Sequence, residues 1–297
     1  MTAVTGIFLA LAGFALTFLG VLVSSLRRAS LAGKPFPTPS LFQVALGFVT
    51  NFFDTLGIGS FATTTAVFKF RKMLPDEFFP GTLNVGHALG AIIQSFIFIA
   101  VIKVDPKTLV LLIGSAVVGA WFGAGLVSGF SRRTVQIGMG VALLGAAAAM
   151  LMSQLQLFPV GGTALGLEGG RLVAGVIGNF VLGAMMTLGI GLYAPCMALI
   201  SLLGMDPSAA FPIMMGSCAF LMPVASIRFI KSGAYSPPIA LGLAIGALIG
   251  VPIAAFIVKS LPLTVLRWVV IVVVLYAAVL MLRSAMQPTP ATEAVAA

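Results

Sequence analysis

The chain has 297 residues, of which 60% are hydrophobic and 8% are charged, and it carries a net charge of +9. Soluble domains have about a quarter of their residues charged, so this composition excludes an ordinary soluble protein. The basic residues lie between apolar runs and not in a patch with other polar side chains. That arrangement argues against nucleic-acid binding and predicts that they orient a membrane protein in the bilayer.

The first apolar run, 5–24, predicts a transmembrane helix that is retained. No basic residue precedes it, and Arg27 and Arg28 follow it, which is the wrong polarity for a cleaved signal peptide. Eight further apolar runs follow, separated by polar or proline-containing segments. They are 41–70, 78–102, 108–129, 134–156, 170–203, 209–229, 236–258 and 262–283.

Two of these runs, 41–70 and 170–203, are too long for one membrane crossing and too short for two. Each has a Gly-x-Gly in its middle, where glycine weakens a helix. We predict that each run forms a broken or re-entrant helical hairpin whose unwound tip lies near the middle of the membrane. Unwound backbone at that depth has to be buried in protein or line a cavity.

The two hairpins begin two copies of one repeat. Thr55-Leu56-Gly57-Ile58-Gly59 recurs 132 residues later as Thr187-Leu188-Gly189-Ile190-Gly191. Met73 recurs at the same offset as Met205, and the prolines that follow them also match. Repeats of this kind, interrupted by glycine at corresponding places, are typical of membrane transporters.

The predicted fold is an all-α polytopic membrane protein with two inverted repeats. Each repeat is a broken helical hairpin plus three transmembrane helices, and one extra N-terminal helix precedes them. Because three is odd, the second repeat enters the membrane upside down, which places Met73 and Met205 on opposite faces. The predicted segments are an N-terminal helix and linker (1–40), repeat 1 (41–157), a linker (158–169), repeat 2 (170–285) and a disordered tail (286–297).

The basic residues predict the orientation. With the N-terminus outside, the inner loops hold eleven Lys and Arg residues and the outer loops hold five, which is the bias of cytoplasmic loops. We therefore predict a multi-pass protein of the bacterial inner membrane with its C-terminus in the cytoplasm. The inner group is Arg27, Arg28, Lys34, Lys69, Arg71, Lys72, Arg132, Arg133, Arg228, Lys231 and Arg283.

The hairpin tips are the candidate substrate site. A half-helix that begins inside the membrane directs backbone N–H groups and a partial positive charge into the cavity, so two tips could bind an anion without arginine. The alternative is that these glycines serve only close helix crossing. The predicted substrate-binding residues are Gly57, Gly59, Ser60, Thr63, Thr64, Gly189, Gly191, Tyr193, Cys196, Asn51 and Asn179.

The candidate coupling residues are Asp54, Asn84 and His87. Asp54 lies three residues before the first tip, where a carboxyl has to be neutral, paired or beside water. It either couples a proton or contacts substrate, or it caps the backbone of the tip. Asn84, His87 and Gln94 share one helix face; His87 either shuttles a proton or hydrogen-bonds two helices.

Other motifs predict packing or nothing catalytic. The spacings Gly119-x3-Gly123, Gly242-x3-Gly246 and Gly246-x3-Gly250 predict close helix contacts, and the methionines are interpreted as gap-filling. Cys196 and Cys218 have no zinc-site spacing. The sequence therefore predicts no enzyme, no cofactor and no metal; the predicted partners are a small anion, membrane lipid and, in one hypothesis, protons.

The second repeat resembles the TauE/SafE sulfite exporter family. The resemblance rests on Gly183 through Pro195 and on Leu203-Gly204-Met205-Asp206-Pro207-Ser208-Ala209-Ala210. It extends to 228–233, 241–252 and Leu261-Pro262-Leu263, and covers 41–285 overall. It implies a secondary carrier of sulfite, thiosulfate, sulfoacetate or a similar organosulfonate. A carrier of a non-sulfur carboxylate and a non-transporting membrane scaffold subunit are the alternative hypotheses.

Overall fold

The computed structural model describes residues 3–33, 35–157, 161–189, 191–257 and 264–287. This part of the chain is all-helical, as predicted, and contains eleven α-helices. In the first half they are α1 (Ala3–Leu31), α2 (Leu41–Thr55), α3 (Ser60–Arg71), α4 (Phe79–Val101), α5 (Pro106–Val127) and α6 (Arg132–Gln154). In the second half they are α7 (Gly169–Met186), α8 (Tyr193–Leu202), α9 (Ala210–Ser232), α10 (Pro237–Pro252) and α11 (Thr264–Met286).

Three short helical turns complete the described fold. Asp76–Phe78 and Pro207–Ala209 are 3₁₀ turns that lead into α4 and α9, and Ile253–Ile257 continues α10 as a π-helical turn. Three predicted features lie partly or wholly outside the described residues: Ile190 of the second tip, the start of the 158–169 linker, and the tail from 288 onward. The Leu261-Pro262-Leu263 motif lies outside them as well.

Helix length separates membrane-spanning helices from half-helices. Within the described ranges, eight helices are long and apolar enough to cross a membrane: α1, α4, α5, α6, α7, α9, α10 and α11. α2, α3 and α8 have 15, 12 and 10 residues. At 1.5 Å per residue these are about 22, 18 and 15 Å long, less than a hydrocarbon core of about 30 Å. The first hairpin thus consists of two half-helices, whereas the second joins the spanning-length α7 to a half-helix.

Both long apolar runs break at the predicted glycines. α2 ends at Thr55, where Gly57 N donates to Asp54 O (2.9 Å) and Ile58 N donates to Phe53 O (3.0 Å). This pair of bonds is a Schellman motif, which requires a left-handed residue at its centre. Gly57 has φ of +90° and fills that position without the cost that a side chain would bring. The chain can therefore turn out of α2 and begin α3 at Ser60, after four intervening residues.

The helices of the two halves follow the same order and exchange their packing partners. α2 packs against α10, and α7, its counterpart, packs against α5. α4 packs against α9 and α10, while α9 packs against α4 and α5, and α6 packs against α11. The core therefore lies between the halves and not within either of them.

Glycine makes two of these contacts unusually close. A Cβ on Gly246 would collide with the backbone of Val44 and Phe48 in α2, and a Cβ on Gly183 would collide with the backbone of Ala116 in α5. Gly242 and Gly250 also face α2, and Gly119 and Gly123 face α7. The predicted packing role of the small-residue spacings is confirmed.

Loops are joined at the two ends of α4. At its C-terminal end, Asp105 N donates to Leu165 O (2.8 Å) and Asp206 N donates to Ala164 O (2.9 Å), so three loops share that end. Hydrogen bonds from Thr108 N and Oγ1 lower the pKa of the Asp105 carboxyl there. At the N-terminal end of α4, Asp76 accepts from Lys69 Nζ and from Gln136 Nε2, both at 2.7 Å.

We predict that Gly246→Ala destabilises the protein, since the new methyl group forces α2 and α10 apart. Overpacking of this kind costs about 1–3 kcal/mol. Gly20→Ala in α1 is the matched control, because a Cβ there has open space. Thermal unfolding in detergent should show a lower midpoint for Gly246→Ala and an unchanged or higher midpoint for Gly20→Ala. Equal midpoints would remove the packing explanation.

Candidate functional site

The two helix breaks meet at a cavity of about 270 Å³, here called the tip cavity. Gly57 and Gly59 line it from the first break, Gly191 and Tyr193 from the second, and Ser153 from the end of α6. The predicted tips are therefore brought together in space, although they lie more than a hundred residues apart in the chain.

A smaller cavity of about 40 Å³, here called the inner cavity, adjoins the tip cavity. Both cavities are lined by Gly59, Phe61, Gly191 and Tyr193, so these four residues separate them. Besides Tyr193, the polar residues that line the inner cavity are Asp54, Ser60, His87 and Gln94. Polar groups from α2, α3 and α4 thus converge behind the tips.

Sulfur atoms dominate the rest of the inner cavity. Met214, Cys218 and Met222 lie at i, i+4 and i+8 of α9, which places them on one helix face. Met215 and Met186 also line the cavity, and Cys218 Sγ donates to Met186 Sδ at 3.6 Å. These five residues therefore form a polarisable surface, here called the sulfur wall. The interpretation of the methionines as gap-filling residues did not predict it.

Asp54 caps the helix that follows the break. Its Oδ1 accepts from Ser60 N at 2.7 Å, which satisfies the first backbone N–H of α3. Gly59, the residue before α3, has no side chain that could do this. The geometry corresponds to the capping alternative for Asp54, and it also places the carboxylate on the wall of the inner cavity.

Gln94 holds Asp54 in place from α4. Its Nε2 donates to Asp54 Oδ2 at 3.0 Å and to Thr55 Oγ1 at 2.9 Å. Its Oε1 is buried and accepts no hydrogen bond from any described residue. Sequence reasoning placed Gln94 on the polar face of α4 but did not include it in the site; the signal was its shared helix face with His87.

His87 joins three helices through both ring nitrogens. Asn51 Nδ2 donates to Gly47 O (2.7 Å), so Asn51 Oδ1 faces His87 Nδ1 at 3.1 Å. Nδ1 therefore carries the proton, and Thr64 Oγ1 donates to Nε2 at 3.1 Å. This neutral arrangement satisfies the whole ring and fixes α2, α3 and α4 relative to each other.

The second tip lacks a comparable cap. Leu192 precedes α8 and makes no side-chain hydrogen bond to it. Tyr193 Oη lies beside Gly57, 2.6 Å from the position that a Cβ on Gly57 would take. Gly189 has φ of +100°, but Gly191 is not in the left-handed region although its counterpart Gly59 is. The two breaks thus share a sequence but not a conformation.

The remaining predicted residues lie outside the lining of the two cavities. Thr63 Oγ1 donates to Gly59 O and Ser60 O of its own helix, and Asn84 Nδ2 donates to Pro80 O. Asn179 Nδ2 donates to Leu112 O and to Ser217 Oγ across helices. Cys196 is buried, and Gly189 lies next to Met139 and Leu83.

No metal site accompanies these cavities in the described part of the chain. Among the described residues, no three His, Cys, Asp or Glu side chains are grouped so that they could share an ion. The groups able to act on a ligand are therefore helix termini, hydroxyls, the Asp54 carboxylate and the sulfur wall.

The fold and the cavities together define a class of protein. A chain whose described part has eight helices long and apolar enough to cross a membrane is a multi-pass membrane protein, and broken helices that meet at a cavity are typical of transporters. Residues 171–296 match the family model described as Sulfite exporter TauE/SafE. The match confirms the resemblance seen in the sequence of the second repeat, and the family consists of transporters, not enzymes. Searches among curated proteins and among solved structures found no match to the chain.

We predict that Gly191→Val blocks transport without unfolding the protein. A Cβ at Gly191 meets no atom within 4 Å and its backbone is not left-handed, so the side chain enters free space in the two cavities. Loss of one hydrogen bond between a charged ligand and the tip costs about 1.5–3 kcal/mol, which is a roughly tenfold to hundredfold loss of uptake at low substrate concentration.

The matched control is Gly145→Val in α6. Gly145 is exposed and a Cβ there also has open space, so it adds the same bulk outside the cavities. Uptake into proteoliposomes should be lost in Gly191→Val and retained in Gly145→Val, with equal yields of folded protein. Wild-type uptake by Gly191→Val would contradict a substrate-binding role for this glycine.

Proposed function

We propose that the protein is a secondary carrier that moves a small sulfur-containing anion across the membrane, bound between the two helix breaks. The observation that carries the proposal is the tip cavity, because the start of α8 and the glycine backbone of both helix breaks line it. The family match supplies the sulfur chemistry. The candidate substrates are sulfite, thiosulfate, sulfoacetate and similar organosulfonates.

α8 provides attraction for an anion. Its preceding residue, Leu192, has no polar side chain with which to cap it. The start of a helix carries about half a unit of positive charge, and an oxyanion can take the place of a capping side chain. The anion is therefore held against the α8 end of the tip cavity.

The sulfur wall supports a polarisable substrate. Thioether sulfur offers no hydrogen-bond donor to replace the water around a strongly hydrated anion. It makes favourable contacts with polarisable groups instead. An anion that enters the inner cavity contacts Met214, Cys218 and Met222. The free energy of removing water from the anion is smaller if the part that contacts them is large and weakly hydrated.

Asp54 supports proton coupling. While it is ionised, the carboxylate offsets the positive charge at the start of α3 and repels a second anion nearby. Protonation removes that repulsion, so proton and anion bind together. His87 and Asn84 have no coupling role in this proposal. The ring nitrogens of His87 are bonded to Thr64 and Asn51 of neighbouring helices, and the Asn84 amide nitrogen is bonded to Pro80 O of its own helix.

The positions of the loops support inverted halves. The loop after α3 lies at the N-terminal end of α4, near Asp76 and Gln136, and the loop after α8 lies at the C-terminal end, where Asp206 meets Ala164. α4 has 23 residues, about 34 Å at 1.5 Å per residue. The loops that follow the two hairpins are therefore about one membrane thickness apart.

Cysteine labelling tests this inversion. We expect Lys72→Cys and Ser208→Cys, in a background in which Cys196 and Cys218 are alanine, to react with an impermeant reagent from opposite sides of the membrane. Both positions are exposed, whereas Met205 is buried. Arg133→Cys is the control and should react from the side of Lys72→Cys. Reaction of Lys72→Cys and Ser208→Cys from one side would rule out inverted repeats.

Uptake into proteoliposomes tests the transport activity itself. Purified protein should accumulate at least one of labelled sulfite, thiosulfate and sulfoacetate when the outside is more acidic than the lumen. Faster uptake of a small carboxylate without sulfur would overturn the sulfur assignment. No uptake of any anion would favour the scaffold hypothesis.

We expect Asp54→Asn to uncouple anion uptake from the pH gradient. The amide can still accept from Ser60 N, and Gln94 Oε1, which is unpartnered, can accept from the new NH₂ group after the Gln94 amide turns over. Uptake down the anion gradient should remain, but acid-driven accumulation should disappear. Asp105→Asn, at a loop position outside the lining of both cavities, is the matched control and should behave as wild type. Wild-type acid-driven accumulation in Asp54→Asn would exclude this carboxyl as the coupling group.

A further inference from the structure

Arg228 stacks on Trp121 at one end of the helix bundle, away from both cavities. The guanidinium carbon lies 3.8 Å from the centre of the Trp121 ring, which is a close cation–π contact between α9 and α5. Gly125, one turn after Trp121, leaves room for the guanidinium: a Cβ there would be 3.0 Å from one of its terminal nitrogens. The guanidinium therefore lies in a recess formed by the Trp121 ring and Gly125.

No acid balances this arginine among the described residues. Its Nε is buried and has no hydrogen-bond partner, and the ion pair found in the described part of the chain is between Lys69 and Asp76. A cation in an apolar helix is costly unless it is paired or reaches polar surroundings. The ring of Trp121 contacts only one face of the guanidinium. The N–H groups of Arg228 point along the guanidinium plane, where an anion could accept their hydrogen bonds.

The depth of the pair matches the boundary between lipid headgroups and hydrocarbon. Trp121 lies six residues before the end of α5 and Arg228 four residues before the end of α9. At 1.5 Å per residue, these are about 9 and 6 Å from the helix ends. Trp121 is 45% exposed and its neighbour Phe122 is 60% exposed. Aromatic residues at this depth are typical of the membrane interface.

We propose that Arg228 and Trp121, with Gly125 between them, form a binding site for the phosphate of an anionic phospholipid. The guanidinium binds the phosphate oxygens in its planar fork, and the exposed faces of Trp121 and Phe122 contact the upper acyl chain. A free phosphate ion would use the arginine but not the aromatic surface. Both helix ends belong to the predicted cytoplasmic side, where the leaflet is rich in anionic lipid.

The chain has two tryptophans, which makes the site directly observable. Trp268→Phe leaves Trp121 as the fluorescent reporter, and Trp121→Phe leaves Trp268, which is 42% exposed on α11, as the control. Each variant is reconstituted in phosphatidylcholine vesicles that contain a fixed fraction of brominated phosphatidylglycerol or of brominated phosphatidylcholine. Bromine quenches tryptophan on contact, so the ratio of the two quenching values measures lipid preference.

We expect Trp121 to be quenched more strongly by the brominated anionic lipid, and Trp268 to be quenched equally by both lipids. Arg228→Gln in the Trp121 background should lower the relative affinity for the anionic lipid about tenfold, as expected for loss of a charge-assisted contact. Gly125→Leu fills the recess beside the guanidinium but keeps the charge, and it should also lower the relative affinity for the anionic lipid. This second variant keeps the proposal testable if Arg228→Gln does not fold.

Three results would overturn the proposal. They are equal quenching of Trp121 by both lipids, a preference that persists in Arg228→Gln and Gly125→Leu, and a preference that excess inorganic phosphate abolishes. The last result would identify a site for the free ion. A preference that survives phosphate and is lost in both variants would support the lipid site, and it is independent of whether the protein transports a sulfur anion.

Discussion

The hydrogen bond from Ser60 N to Asp54 Oδ1 is the contact on which the first hairpin depends. A helix that begins inside a membrane has backbone N–H groups with no water to bind, and each unsatisfied group costs several kcal/mol in hydrocarbon. Asp54 supplies the missing acceptor from the helix before the break. Gln94 then donates both to this carboxylate and to Thr55 Oγ1, so the cap of α3 also joins the hairpin to α4. His87 makes a second joint to the same helices through Thr64 and Asn51.

The second hairpin has no such acid, and this difference gives the cavities their polarity. Met186 occupies the repeat position of Asp54 and lines the inner cavity with sulfur instead of oxygen. α8 consequently begins without a side-chain cap on the far side of Gly59 and Tyr193. The start of α3 is thus capped by a side chain of the protein, and the start of α8 has no side-chain cap. The corresponding positions of the two repeats thus contribute a carboxyl group and a thioether to the lining of the inner cavity.

The sequence predicted the parts of this architecture that depend on local composition. Over-long apolar runs and glycine pairs located both helix breaks, and small-residue spacings located the contacts of Gly246 and Gly119. The site itself was only partly predictable, because its walls come from helices brought together by tertiary packing. Thr63 and Asn84 carry the right groups, but they bond to their own helices. The sulfur wall had a visible signal in the i, i+4, i+8 spacing of Met214, Cys218 and Met222, yet nothing local distinguishes such a spacing from ordinary core packing.

The backbone contacts between α2 and α10 constrain how the molecule can change shape. Side chains that interdigitate can slide by changing rotamers, but Gly246 lies directly against the backbone of Val44 and Phe48 and leaves nothing to rearrange. α5 and α7 are joined in the same way through Gly183. Each of these pairs contains one helix from each half of the chain, so the rigid units of the molecule are not its sequence repeats. Any hinge between them has to lie where side chains, and not backbones, fill the interface.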